Sequence, residues 1–277
     1  MRNRMEQKSA KLEQPAVLAV LFHPSQEVTP PPAGAFDRML AADDGALLHA
    51  RFFPGPDPAD PVILFFHGNG EVVSDYDDAG AAFAGQGVGF LAVEYRGYGA
   101  SSGSPGVAAM LRDAHVVLAH VRAWLAEDGR SGPLLVMGRS LGSVPAIELA
   151  AAGAESIKGL ILESAVAATL PLLRIMGVDV DGLGISEEDG FGNLEKIALV
   201  QQPTYILHAG RDEIIPPVLA EELQSACGAR SKEFQLIPGA GHNDVMARTG
   251  RLYFEAISRF ARKAAKPQRP RRPGLRE

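Results

Sequence analysis

A single cysteine, Cys227, leaves this chain unable to form an internal disulfide, and 277 residues are enough to bury a core without one. That scarcity suits a reducing compartment. Cys227 itself, in a helix-like stretch ending at Gly228, reads as a small buried apolar side chain rather than a reactive thiol. Long apolar runs are also missing. The best early candidate, residues 16–22, is far shorter than the ~20 residues that cross a bilayer. His23-Pro24-Ser25-Gln26 follows it, not the small-residue cleavage site of a secretory signal. A cytoplasmic protein without a membrane span is therefore expected. Metal and nucleotide motifs are absent as well. There is no H-E-x-x-H, and His115 and His120 are too far out of phase to share a helix face. Asp179-Val180-Asp181-Gly182 begins like a calcium loop, but Leu183 occupies the next ligand position. Gly97-Tyr98-Gly99 lacks a correctly placed third glycine for a dinucleotide fingerprint. Neither a metal nor a cofactor is expected.

Basic charge is scarce except at the end. Residues 259–277 hold eight Lys/Arg against one Glu, whereas the whole chain carries −6, so the preceding 258 residues carry −13. An acidic body disfavours nucleic acid as a partner. Residues 264–277, basic and rich in proline, read as a disordered tail suited at most to weak contact with an anionic membrane surface.

What is present is alternation. Residues 1–14 are polar and read as loose, residues 17–22 as an edge strand, and Pro30-Pro31-Pro32 as an extended connector. Two β-rich runs flank the turn signal Asp43-Asp44-Gly45 and predict a hairpin. From Val62 onward, apolar strands alternate with helical patterns: strands near 62–66, 89–95, 134–138, 158–163, 204–208 and 233–237, helices near 71–86, 106–127, 145–150, 218–227 and 251–263. Runs such as Val62-Ile63-Leu64-Phe65-Phe66, apolar at every position, suit strands buried on both faces. Alternation of this kind implies one mostly parallel sheet flanked by helices on both faces. It is read as a single domain, residues 1–263, interrupted at about 165–201 by a small lid insertion whose apolar part, Leu170–Met176, either lines a pocket or packs the lid down.

In such sheets ligands bind at the carboxyl ends of the strands, and the unusual residues fall there. Gly138-Arg139-Ser140-Leu141-Gly142 joins a strand directly to a helix, the setting of a G-x-S-x-G nucleophile elbow. A serine hydroxyl needs a base to take its proton during attack, and imidazole is suited to that because its pKa sits near neutral. A carboxylate then holds the imidazole tautomer. Ser140, Asp212 and His242 follow strands in the order nucleophile, acid, base. Glu213 and Glu163 are competing acids; Asp212 is preferred because Gly210 permits the tight turn after its strand. An oxyanion hole requires backbone N–H donors, expected from Leu141 at the start of the following helix and from Asn69 after the 62–66 strand. His67 is expected to brace that loop, and His23, His49, His115, His120 and His208 to be structural or surface residues.

His67-Gly68-Asn69-Gly70, Arg96-Gly97-Tyr98-Gly99-x-Ser101, Gly138-x-Ser140-x-Gly142, Gly210-x-Asp212-Glu213 and Gly241-His242-Asn243-Asp244 together resemble the α/β-hydrolase superfamily over residues 46–263. Within it they are similar to a small serine-hydrolase branch related to α/β-hydrolase-domain proteins that remove palmitate from protein cysteines. The resemblance implies the α/β-hydrolase fold and cleavage of a carboxylic ester or thioester through an acyl-enzyme. A peptidase or amidase on the same triad, and a non-catalytic binding protein on the same fold, are the alternatives. The expected partner is a small-molecule or acyl-group ester.

Overall fold

Consecutive apolar residues at 62–66 cannot hide on one face of a pleated strand, so that strand has to lie inside a covered sheet. The computed structural model, which describes residues 10–153 and 155–264, places it there. Eight strands form one sheet: β1 (Phe36–Ala41), β2 (Leu47–Phe53), β3 (Val62–Phe66), β4 (Gly89–Val93), β5 (Leu134–Arg139), β6 (Ile157–Glu163), β7 (Thr204–Ala209) and β8 (Lys232–Ile237). Their spatial order is β1-β2-β4-β3-β5-β6-β7-β8. The β1–β2 hairpin and the β2–β4 pair are antiparallel, and every other neighbour pair is parallel. All five residues of β3 are buried, and each such side chain contributes about 1.5–3 kcal/mol relative to exposure.

Two apolar layers cover the sheet. Val62, Leu64 and Phe66 face one, built on α3 (Val107–Glu127) and α4 (Ser143–Ala151). Ile63 and Phe65 face the other, which packs under α2 (Asp77–Gly85) and α9 (Arg251–Ala264). In α9, Tyr253, Ile257, Phe260 and Ala261 are buried at helical spacing. Its last residue, Ala264, extends the helix one position into the segment expected as tail; residues 265–277 lie outside the described residues. Among the described residues no helix is long and apolar enough to cross a membrane.

The expectation of an edge strand at 17–22 is corrected. Residues Pro15–Leu21 form a helix, α1, with Pro15 in its first turn and Val17 and Leu21, four apart, buried on one face. The 3-10 turn Ala10–Glu13 precedes it, so the end of the polar leader is structured too. Glu13 reaches across the fold, its Oε1 accepting the Ala108 N–H at 2.7 Å, which caps α3 where Gly106 offers no side chain.

Residues 165–201 contain α5 (Thr169–Ile175), the 3-10 turn Glu187–Asp189 and α6 (Asn193–Leu199). The Glu187 carboxylate caps α5, accepting the N–H groups of Thr169 at 2.6 Å and Leu170 at 2.8 Å. Leu172, Leu173, Phe191 and Ile197 join the core layer that contains α4. The segment following α7 (Pro217–Ala226) and β8 is completed by a short helix, α8 (Val245–Thr249), on the way to α9.

Candidate active site

The site is assembled where β3, β5, β7 and β8 end. Strand β5 turns into α4 through a 3-10 turn, Ser140–Gly142, and Ser140 sits at φ +50°, a left-handed conformation rare for a side chain. Holding it there costs on the order of 1–3 kcal/mol. The turn is tight because its flanking glycines are pressed against backbone. A Cβ on Gly138 would overlap the carbonyl of Gly142, and one on Gly142 would overlap the carbonyl of Phe66. Neither neighbour is a flexible side-chain end, so Gly142→Ala is expected to lower stability by about 3 kcal/mol. A urea midpoint unchanged from the parent would contradict that packing.

Three side chains meet above this edge. His242 Nε2 lies 2.9 Å from Ser140 Oγ. On the other side of the ring, Nδ1 lies 2.9 Å from both Asp212 oxygens. A carboxylate only accepts, so Nδ1 donates and Nε2 presents its lone pair to the serine hydroxyl. Asp212 Oδ1 also accepts the N–H groups of Ile214 at 3.0 Å and Ile215 at 2.7 Å. Burial works to raise the Asp212 pKa, yet the imidazole and the Ile215 N–H hold it below the ordinary carboxylate range. Of the competing acids, Glu213 accepts the backbone N–H of His242 at 3.2 Å, and Glu163 faces Arg139 and Tyr253.

The loop after β3 is fixed by its own side chains. Asn69 Oδ1 accepts the His23 N–H at 2.7 Å and the Tyr98 hydroxyl at 2.8 Å. His67 is fully buried, with Nδ1 2.8 Å from the Gly68 carbonyl and Nε2 3.2 Å from Glu94. Burial pulls its pKa down, but the Glu94 carboxylate outweighs that and raises it. Asn69 and Leu141 line the same cavity as Ser140 and His242, a space of 340 Å³. Its apolar wall comes from Leu21 of α1, Leu172 and Ile175 of α5, Met176 just beyond, and Ile214. The 170–176 segment thus does both things the sequence left open: Leu172 and Leu173 pack into the core, and Leu172, Ile175 and Met176 face the cavity.

His208, expected to be a structural or surface residue, is structural. His208 is wholly buried behind Asp212, its Nε2 donating to the Ile215 carbonyl at 2.9 Å and lying 3.5 Å from Asp212 Oδ2. Burial pushes its pKa down, which keeps it neutral beside the acid. Its position in β7, four residues before Asp212, was the only available signal. Glu71 and Arg139 did escape the sequence reading, and both bear on the elbow. Of the other histidines, His23 meets Asn69 through its backbone N–H, while His49 is buried against Asp37 at 3.0 Å, His115 pairs with Glu148 at 3.3 Å, and His120 meets the Ala41 carbonyl at 2.9 Å.

Comparison with known proteins places the chain in a family. Residues 57–178 match a family model described as "Serine aminopeptidase, S33". An uncharacterised protein of Mycobacterium tuberculosis is 30% identical over 239 residues, covering 84% of this chain and 81% of its own length. The α/β-hydrolase domain-containing protein WAV2 of Arabidopsis thaliana is 27% identical over 249 residues, covering 84% and 80%. The chain belongs to the α/β-hydrolase superfamily. An esterase of Pyrococcus furiosus has the same fold, with a TM-score of 0.70 at 15% identity, covering 87% of this chain and 98% of its own. This α/β hydrolase keeps the mostly parallel sheet expected from its sequence, and Ser140 follows directly on its strand β5.

Proposed function

We propose that this α/β hydrolase is a serine hydrolase that cleaves carboxylic esters or thioesters through an acyl-enzyme. One observation carries the reading: the hydrogen-bonded series Ser140–His242–Asp212, each link 2.9 Å, opening into an apolar cavity. His242 takes the hydroxyl proton as Ser140 Oγ attacks the acyl carbon, and Asp212 stabilises the imidazolium that results. The backbone N–H groups of Leu141 and Asn69 are assigned to the developing oxyanion, each worth roughly 2.7–4 kcal/mol in the transition state. Protonated His242 gives its proton to the leaving alcohol or thiol, and then activates the water that releases the acid. No cofactor takes part in this scheme.

The cavity favours an acyl group over an aminopeptidase substrate. Recognising a free α-ammonium calls for a nearby carboxylate, and among the described residues none lines this space. Acyl p-nitrophenyl esters should therefore be hydrolysed and aminoacyl anilides left intact. The reverse preference would reject the reading in favour of a peptidase, and inertness toward both would favour a binding protein.

Chain length follows from volume. At roughly 30 Å³ for each water-sized group, a 340 Å³ cavity holds on the order of ten heavy atoms. Activity should rise from acetyl to about octanoyl esters and fall beyond. Met176→Trp, which fills part of the wall, should lower kcat/KM for octanoyl by about tenfold or more while leaving acetyl within about twofold. Equal losses on both chains would show that Met176 does not border the acyl group.

A further inference from the structure

Arg139 stands between Gly138 and the nucleophile and is the last residue of β5, with only 8% of its surface exposed. Its register explains its company. On one side Arg139 pairs with Glu163 at the end of β6; on the other, Gly138 pairs with Phe66, which delivers the loop after β3. Guanidinium Nε lies 3.4 Å from Glu163 Oε1, and Nη1 donates to Glu71 Oε1 in the loop after β3. Nη2 donates to the backbone carbonyl of His242 at 3.1 Å and to Asn243 Oδ1 at 2.8 Å. The second oxygen of Glu71 accepts the Gly68 N–H at 2.6 Å and the Tyr76 hydroxyl at 2.5 Å. The second oxygen of Glu163 accepts the Tyr253 hydroxyl.

We infer that Arg139 is a positioning residue. With one planar guanidinium it locks the His242 loop and, through Glu71 and Gly68, the loop of Asn69 onto the strand that carries Ser140. The inference rests on the serine-hydrolase reading above. Arginine suits the task because its five donors leave a rigid fork in several directions at once, whereas a lysine ammonium is a point charge on a flexible stem. The contacts are to backbone, to carboxylates and to the Asn243 amide, not to Ser140 Oγ, so Arg139 acts on the reaction through the groups it holds.

A misplacement of about 1 Å at a reacting group costs on the order of 10²-fold in rate. Arg139→Ala should therefore lower kcat by about that factor with KM moved less than about twofold. A 230 Å³ cavity lies against the guanidinium, between Glu71, Tyr76, Glu163, Asn243 and Tyr253, and the exposed Asn243 brings it to the surface. A small planar cation therefore has a way in.

The test is steady-state hydrolysis of an acyl p-nitrophenyl ester by the full-length protein, with fluorophosphonate labelling of Ser140 in parallel. Arg139→Ala is assayed alone, with millimolar guanidinium and with millimolar urea, which has the same shape and no charge. Arg139→Lys is assayed beside it and carries the comparison with the parent should the alanine variant not fold. We expect kcat to fall while KM holds, a lysine variant intermediate by about tenfold, and recovery of about tenfold with guanidinium but not urea. Arg139 variants with kcat within twofold of the parent overturn the proposal. So does a loss carried by KM, or a loss that urea restores as well as guanidinium, or one that neither guanidinium nor lysine relieves. A parent protein that neither hydrolyses the ester nor takes the label sinks the serine-hydrolase reading itself, a different result from an active parent with indifferent Arg139 variants.

Discussion

Ser140→Ala is expected to reduce kcat for an acyl ester by about 10⁶-fold, by analogy with the loss measured when the nucleophile of another serine triad is removed. The expected loss is large because Ser140 Oγ lies 2.9 Å from His242 Nε2 at the mouth of the apolar cavity. Alanine keeps the elbow backbone and leaves the assigned oxyanion donors where they are, so the variant should remain folded and bind substrate. Residual rate above the uncatalysed reaction is then the share owed to binding and to those donors. Burst kinetics and fluorophosphonate labelling should vanish with turnover. Retention of more than a few per cent of activity would remove Ser140 from the chemistry.

Asp212→Asn should cost about 10⁴-fold in kcat without disturbing the fold, as the same change does in a better-known triad. The local hydrogen bonds say why. Asp212 Oδ1 receives the Ile214 and Ile215 N–H groups while the carboxylate as a whole receives His242 Nδ1–H. An asparagine oxygen satisfies the two backbone donors, which turns its NH₂ toward Nδ1. The imidazole proton then sits on Nε2, where it faces the serine hydroxyl with nothing to accept its proton. The loss should therefore appear in kcat, with KM little changed. A pH titration of stability supplies a second check. Because the folded state holds the Asp212 pKa below that of an unfolded aspartate, its contribution to stability is present above the unfolded value and lost as pH falls through the folded one. That acid-dependent part should be missing from Asp212→Asn. A variant with a tenth or more of the parent kcat would show that Asp212 does not hold the tautomer.

Much of this was legible in the chain because the strands are apolar without interruption and the elbow demands glycine. Gly138 and Gly142 sit against backbone carbonyls, so their spacing around Ser140 reports a real steric requirement. Asp212 and His242 could be brought together because each lies in the short loop after a strand, and parallel strands end together on one edge. The Ala16–Phe22 run misled because a short apolar stretch has no period long enough to separate strand from helix. Its Val17–Leu21 stripe and the Pro15 start were the better signals. The cluster around Arg139 was hidden for another reason. Glu71, Glu163, His242 and Tyr253 are far apart in sequence and meet only through sheet register and the packing of α9, which no local pattern records. His208 was read as structural or surface, and its burial behind Asp212 follows from β7 lying inside the sheet rather than at its edge.

The most direct measurement is intact-protein mass spectrometry after brief exposure to a fluorophosphonate, followed by peptide mapping of the adduct. This account requires one covalent adduct per chain, located on Ser140, formed by the parent protein and abolished in both Ser140→Ala and His242→Ala. Stoichiometric modification of another residue, or a parent protein left unmodified while a known serine hydrolase in the same tube reacts, would contradict it.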